Sequence, residues 1–290
     1  MSRTTVLKTY KLWIGGAFVR SESGRAYTVR EARGEFWANV PQASRKDLRD
    51  AVQAARNAQS GWAKRTAYNR GQILYRVAEM LETRRAAMRD ELQAVLGVSP
   101  SDADAEIDAS IDRWVYYAGW SDKFAAVLSS VNPVAMPMHN FTVPEPTGVV
   151  GIACPPEAPL ASLTSLLAPV IVSGNTAVAL LPEEVPTIGL AFAEVLATSD
   201  LPAGVVNLLS GSFRELLPHL AAHVGVDALN LCGVPESERA PLEQAAAETI
   251  TRLHHSPRLT PAEWRSDAAQ GLHWIEPYLE FKTVWHPLGW

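Results

Sequence analysis

Between Gly148 and Thr249 short apolar runs and helix-like stretches alternate without a break, and this alternation constrains the fold more than any other feature of the chain. Gly148-Val-Val-Gly-Ile-Ala-Cys154 is a short apolar run, followed by a helix-like stretch from Leu160 to Val172. Gly174-Asn175 makes a turn, and Thr176 to Leu181 is a second β-like run. Ile188 to Leu196 reads as helix, Val205 to Leu209 as a third strand and Glu215 to His223 as helix. Ala228 to Cys232 reads as a fourth strand and Pro241 to Thr249 as helix. Strands separated by helices of about ten to fifteen residues make crossover units, whose helices cover both faces of a parallel sheet. The expected fold class is α/β, with a doubly wound, Rossmann-like parallel sheet.

The flanks carry different signals. In KLWIGGAFVRSESGRAYTV two half-apolar runs surround Ser21-Glu22-Ser23-Gly24, which predicts a hairpin turn there. Ser44-Arg45-Lys46-Asp47 has the form of a capping box, opening a short helix with the stripe Leu48, Val52, Ala55. Ile73, Leu74, Val77, Met80 and Leu81 recur at helical spacing, and SPSDADAEID caps a further helix whose apolar face is Ile107, Ile111, Trp114, Val115 and Ala118. Such aromatic faces are core packing. Pro257 to Gly271 is polar and irregular, and Tyr278 to Trp285 then alternates with period two. That terminal strand must pair with something, because an open edge is adhesive.

Composition narrows the class of function. With 26 Lys and Arg against 31 Asp and Glu, the net charge is −5, so no basic footprint for nucleic acid or an anionic membrane exists. The most apolar stretch, Leu160 to Leu181, is interrupted by Ser162, Thr164, Pro169, Ser173, Gly174 and Asn175, and reads as buried helix, turn and strand rather than a membrane span. Its 2 cysteines build neither a disulfide framework nor a zinc ribbon. No leader pattern opens the sequence, and the expected location is cytoplasmic.

Gly148-Val-Val-Gly, the Pro-rich turn, Ala168-Pro169 and Ser173-Gly174-Asn175-Thr176, followed by Leu201-Pro-Ala-Gly-Val-Val-Asn207, Gly211 and Val226-Asp227-Ala-Leu, resemble the cofactor-domain core of the aldehyde dehydrogenase superfamily. A hairpin at Ile14-Gly15-Gly16, which the resemblance implies, and the helices after it extend the likeness over residues 10 to about 255. The sequence is most similar to the degenerate second repeat of the two-repeat, family-sixteen type, which also carries a Cys-Pro-x-Glu-Ala-Pro turn and a terminal strand like FKTVWHPLG. The resemblance implies a cofactor-type domain over 1–255 with oligomerisation strands near 131–147, a linker at 256–277 and a terminal oligomerisation strand at 278–290.

It also implies a chemistry that this sequence meets poorly. Aldehyde oxidation needs a thiolate nucleophile, a base, an oxyanion donor and a nicotinamide cofactor. In the family the nucleophile follows the last cofactor-domain strand; here Arg252-Leu253-His254-His255 replaces the motif that supplies the base, and no cysteine follows Cys232. The Pro-Trp-Asn turn that donates to the oxyanion matches Pro155, Pro156 and Glu157, and a carboxylate there accepts rather than donates. The Lys that holds the adenosine ribose falls near Leu181, which cannot donate. Gly211 survives, and so does Gly233 at the pyrophosphate-binding turn, but Glu236 and Glu238 add negative charge beside it.

Pro155, Pro156, Glu157, Leu181, Gly211 and Gly233 are therefore expected as a vestigial cofactor site, with no catalytic residue. Cofactor use is expected to be none, or weak NAD(P) at most. Cys154 and Cys232 each end a strand and read as core residues. His219 and His223, four apart on a helix, lack a third ligand, so no metal is expected. The expected function is that of a non-catalytic subunit assembling with a full-length aldehyde dehydrogenase, or with itself, through the 278–285 strand and with Met136 to Pro146 as its companion. The alternatives are an NAD(P)-dependent oxidoreductase with a site rebuilt around Cys232 or Glu157, and a nucleotide-binding module without turnover around Gly211 and Gly233.

Overall fold

The computed structural model describes residues 6–289; Trp290 of the terminal segment and residues 1–5 of the opening stretch lie outside it. The N-terminal hairpin turns at Gly15-Gly16, both with positive φ, and pairs β1 (Leu12–Ile14) with β2 (Ala17–Val19). A two-residue hairpin turn asks for that backbone, which glycine adopts without a Cβ penalty. The break at Ser21 to Gly24 corrects the expected turn. It links this hairpin to a second one, β3 (Ala26–Arg30) with β4 (Phe36–Pro41). It is tied down by Asp47, whose carboxylate accepts from Ser21 Oγ at 2.7 Å and Glu22 N at 3.2 Å.

Ser44 closes the capping box with Asp47 at the start of α1 (Arg45–Ala63). The helix is longer than expected, because its apolar face continues to the buried Trp62, whose indole donates to Ile171 O. α2 (Ala67–Thr83) and α4 (Pro100–Trp120) are capped by Thr66 and Ser99; α2 carries the expected stripe, whereas α4 buries Ile107 and Trp114 together with Tyr117 and leaves Val115 exposed, a turn away from the expected face. Between them lies α3 (Arg85–Leu96), which buries Met88, Leu92 and Val95 and stops at the left-handed Gly97. A short α5 (Phe124–Leu128) leads to β5 (Ser130–Asn132) and β6 (Met138–Pro146).

The alternating half forms as expected through β7 (Val149–Ala153), α6 (Pro159–Val172), β8 (Thr176–Leu180), α7 (Pro186–Leu196), β9 (Val206–Leu209), α8 (Phe213–Ala221), β10 (Ala228–Asn230) and α9 (Glu236–Glu248), and a further strand that the sequence did not predict, β11 (Arg252–His254), follows. α9 begins ahead of Pro241, which sits inside it. The strands join one sheet in the order β11-β10-β7-β8-β9-β1-β2, parallel from β11 to β9, with the N-terminal hairpin antiparallel at one edge. One core lies where α2, α4, α6 and α7 cover the sheet; a second lies beneath α1, α8 and α9. Every residue of α6 is buried, which accounts for the continuous apolar run. Among the described residues no helix is long and apolar enough to cross a membrane.

The stretch expected as a linker, 256–277, does more than connect. α10 (Pro261–Trp264) and the 3-10 turns after it bury Trp264, Ala269, Trp274 and Ile275. Arg113 of α4 donates to the carbonyls of Trp264 at 3.2 Å and Ser266 at 3.0 Å. Sparse but large apolar residues among polar ones hide this packing from a pattern search. The terminal strand β12 (Leu279–Pro287) pairs antiparallel with β6 along its whole length, from Leu279 opposite Pro146 to Pro287 opposite Met138. β5 lies on the far side of β6, so among the described residues β12 is an edge of a three-stranded arm.

Candidate functional site

In an open parallel sheet a ligand crevice forms at the carboxyl ends of the strands, where neighbouring connections run in opposite directions. Here that point lies between β7 and β10, since β8 follows on the opposite side of β7. Pro155 is buried, Pro156 exposed and Glu157 half-buried in the turn after β7. Gly233 faces that turn across the switch point and donates its N–H to Ala153 O at 2.8 Å. A Cβ on Gly233 would run into the backbone of Cys154, so the glycine is required by the close approach of the two turns.

The residues after β11 close the crevice further. Asn230 donates to Ser256 Oγ at 2.8 Å and to the Tyr278 hydroxyl at 2.7 Å. Arg258 pairs with Glu157 at 3.4 Å, and Pro257 O lies 3.9 Å from Cys232 Sγ. Cys154 and Cys232 are fully buried; burial raises both thiols, Cys232 to about 12, so neither holds the thiolate that a nucleophile requires.

The other predicted positions follow on the neighbouring strand ends. Gly211 lies in the turn after β9, at φ 151°, where an added Cβ would sit 3.1 Å from Ala43 N; its neighbour Ser210 accepts from that same N–H. Leu181 is buried in the core, and its side chain fills the space above Gly189. The structure thus places all six positions along the carboxyl edge of the sheet, with Leu181 just past the Ala153–Leu180 pair and Gly211 one strand further, although the Leu181 side chain turns into the core.

Two carboxylates that govern the site are not among the predicted residues. Glu106, buried on α4, accepts from the N–H groups of Leu160 at 2.8 Å and Ala161 at 3.3 Å, at the start of α6. α6 needs this remote acceptor because its own N-cap, Ala158, is left-handed and offers no side-chain oxygen. Burial pushes the Glu106 carboxyl above its ordinary value, and the two N–H groups oppose that. Glu183, after β8, accepts from Phe213 N and so caps α8. Nothing local marks Glu106, whose partners lie 54 and 55 residues away.

Between α8 and α9 is a cavity of about 580 Å³, floored by the buried Leu217, Val234 and Leu242. Among the described residues no cluster of three or more His, Cys, Asp or Glu could hold a metal ion.

The aldehyde dehydrogenase family model matches residues 18–255. The chain belongs to the aldehyde dehydrogenase family. It is 31% identical over 266 residues to cytosolic 10-formyltetrahydrofolate dehydrogenase of Mus musculus, covering 87% of this chain and 29% of that protein. It is 32% identical over 253 residues to retinal dehydrogenase 2 of Mus musculus, covering 85% of this chain and 48% of that protein. A solved NAD+ complex of an aldehyde dehydrogenase from Bacillus cereus superposes with a TM-score of 0.80 at 26% identity, over 86% of this chain and 50% of that one. The chain therefore spans less than half the length of these two curated relatives.

Against a dinucleotide, the residues of this family member fit poorly. A diphosphate is held by free N–H groups at helix N-termini. Those of α6 are bonded by Glu106, and the Phe213 N–H of α8 by Glu183. α9 begins after Pro235, which has no N–H, and carries Glu236 and Glu238 in its first turn.

Proposed function

We propose that this family member works by assembly, as a non-catalytic subunit that stabilises or regulates a complete aldehyde dehydrogenase subunit. It docks by strand addition on β12, and a second copy of itself is the alternative partner on the same edge. The observation that carries this reading is the outer edge of β12. Leu288 N donates to Pro137 O and Thr147 N to Tyr278 O, one beyond either end of the β12–β6 ladder. In an antiparallel ladder bonded and non-bonded pairs alternate. Residues 280, 282, 284 and 286 therefore direct their backbone groups at β6, whereas Phe281, Thr283 and Trp285 direct theirs outward. Arg252 occupies Leu279 O, so the open stretch begins at Phe281. The Phe281 and Trp285 side chains, 45% and 53% exposed, add apolar area beside this row of free backbone groups. Such an edge is a template for another strand.

The thiols support the non-catalytic half of the reading, since both are buried and protonated at neutral pH. Sedimentation velocity on the chain mixed with a catalytic aldehyde dehydrogenase is expected to reveal a mixed species, and the chain alone a self-associating one at higher concentration. Thr283→Pro removes an outward N–H and keeps every backbone bond to β6, losing only the exposed hydroxyl contact with Thr142, a change that edge strands tolerate. It is expected to leave the melting curve close to wild type and abolish the mixed species. Independent sedimentation of the two proteins would sink the proposal. So would NADH production by the isolated chain with NAD and an aldehyde that disappears in Cys232→Ser.

A further inference from the structure

We infer that the pocket between α1 and α8 binds a doubly charged tetrahedral oxyanion, free or as the end group of a small phosphate monoester. Arg45 and Arg49, one turn apart on α1, and His219 and His223, one turn apart along α8, line a single pocket of about 360 Å³. That volume is at the small end of ligand sites. A spacing of four sets each pair on one helix face, and here the two faces meet. Val224 at the rim is 85% exposed, which keeps the pocket open to solvent. α8 runs from the carboxyl end of β9 back toward the start of β10, so His223 and Val224 lie at the amino ends of the strands, away from the crevice. The pocket shares no lining residue with the cavity between α8 and α9.

The donors are set before any anion arrives. Gly225 N donates to His223 Nδ1 at 3.0 Å, so the neutral ring carries its proton on Nε2. Burial, and then Arg56, lower the His223 pKa below its ordinary value and keep it in that donor form. Arg56 itself is paired with Asp227 at 2.7 Å. Two carboxylates flank the pocket. Glu215, one turn before His219, is held by Arg25 at 2.6 Å and 3.0 Å. Asp50 accepts from Arg49 Nε at 3.2 Å and Nη2 at 3.0 Å, a contact between exposed neighbours that is weak and easily shared with an anion. Arg45 makes no ion pair among the described residues, which leaves it the uncompensated cation. The two guanidiniums exclude a metal ion from the histidine pair and favour an acceptor-only ligand. His219, exposed and without a hydrogen bond among the described residues, is the group that takes up a proton as the anion binds, so binding strengthens as the pH falls.

The site is independent of the β12 edge, and its test reads binding rather than assembly. Sulfate, which keeps its double charge across the range, is titrated into the full chain by calorimetry at low chloride, with the histidine ring resonances followed by NMR. Saturable binding is expected, about tenfold tighter than that of acetate and tighter at about pH 6 than at about pH 8. The His219 and His223 resonances are expected to move together as the site fills. Arg45→Gln combined with Arg49→Gln is expected to weaken sulfate about tenfold and, because both side chains are exposed at a helix start, to leave the melting curve unchanged. His219→Gln is expected to remove the pH dependence and keep the binding seen at high pH. Glycerol phosphate binding as tightly as inorganic phosphate assigns the monoester end group, and phosphate binding alone assigns the free ion. No saturable sulfate binding, acetate as tight as sulfate, sulfate affinity that survives the double arginine substitution, or pH dependence that survives His219→Gln would each overturn the inference.

Discussion

At the scale of single residues, two titratable groups, the buried Glu106 and the partly buried His254, carry testable consequences. Glu106→Ala leaves the Leu160 and Ala161 N–H groups buried without an acceptor and is expected to cost about 1–3 kcal/mol in urea denaturation. Glu106→Gln keeps an accepting oxygen and is expected to lose less. His254, edge-on to Tyr278 with ring centroids 5.6 Å apart, has a lowered pKa, first from burial and then from His255. A depressed histidine is neutral in the fold where the unfolded chain would be protonated. Its contribution is therefore complete above about pH 6.5 and declines as the pH falls toward its folded value. His254→Gln is expected to flatten the fall in the urea midpoint between about pH 7.5 and about pH 5.5.

At the scale of elements, the capping box of α1 is more than a local signal. Besides Ser44 N at 2.8 Å, Asp47 holds Ser21 and Glu22, so one carboxylate joins the helix to the link between the two hairpins. Asp47→Ala is expected to lose about 1–2 kcal/mol, read as a shift in thermal midpoint. This helix start was legible because capping is a contact between residues three apart. The alternating strands and helices after Gly148 were legible for a similar reason: burial on both faces leaves a continuous apolar run. The hairpin turn was misplaced because Ser21 to Gly24 has turn composition, whereas Gly15-Gly16 has the turn backbone. α3 escaped notice because its short stripe of Met88, Leu92 and Val95 abuts two stronger helices.

At the scale of the whole molecule, the tail is part of the fold. Trp264 is fully buried and packs against Trp274, with ring centroids 5.9 Å apart, while Arg113 pins the carbonyls around it. Thermal unfolding followed by tryptophan fluorescence and by far-UV circular dichroism is expected to give coincident transitions. Trp264→Ala is expected to lower stability by about 3–5 kcal/mol. An early fluorescence transition would mean that 256–278 melts separately from the sheet. What the amino-acid order determined alone was the α/β class, the strands and helices after Gly148 and the family's cofactor-domain motifs. Each is written in periodicity, turn chemistry or a short run of neighbours. What only the tertiary structure decided was the site. Gly233 meets Cys154, Glu106 reaches α6, Leu181 turns into the core, and β12 spends one edge on β6 while leaving the other free. Those outcomes depend on contacts between distant residues, where steric fit and the need to satisfy each buried N–H choose the partner, and no local pattern records that choice.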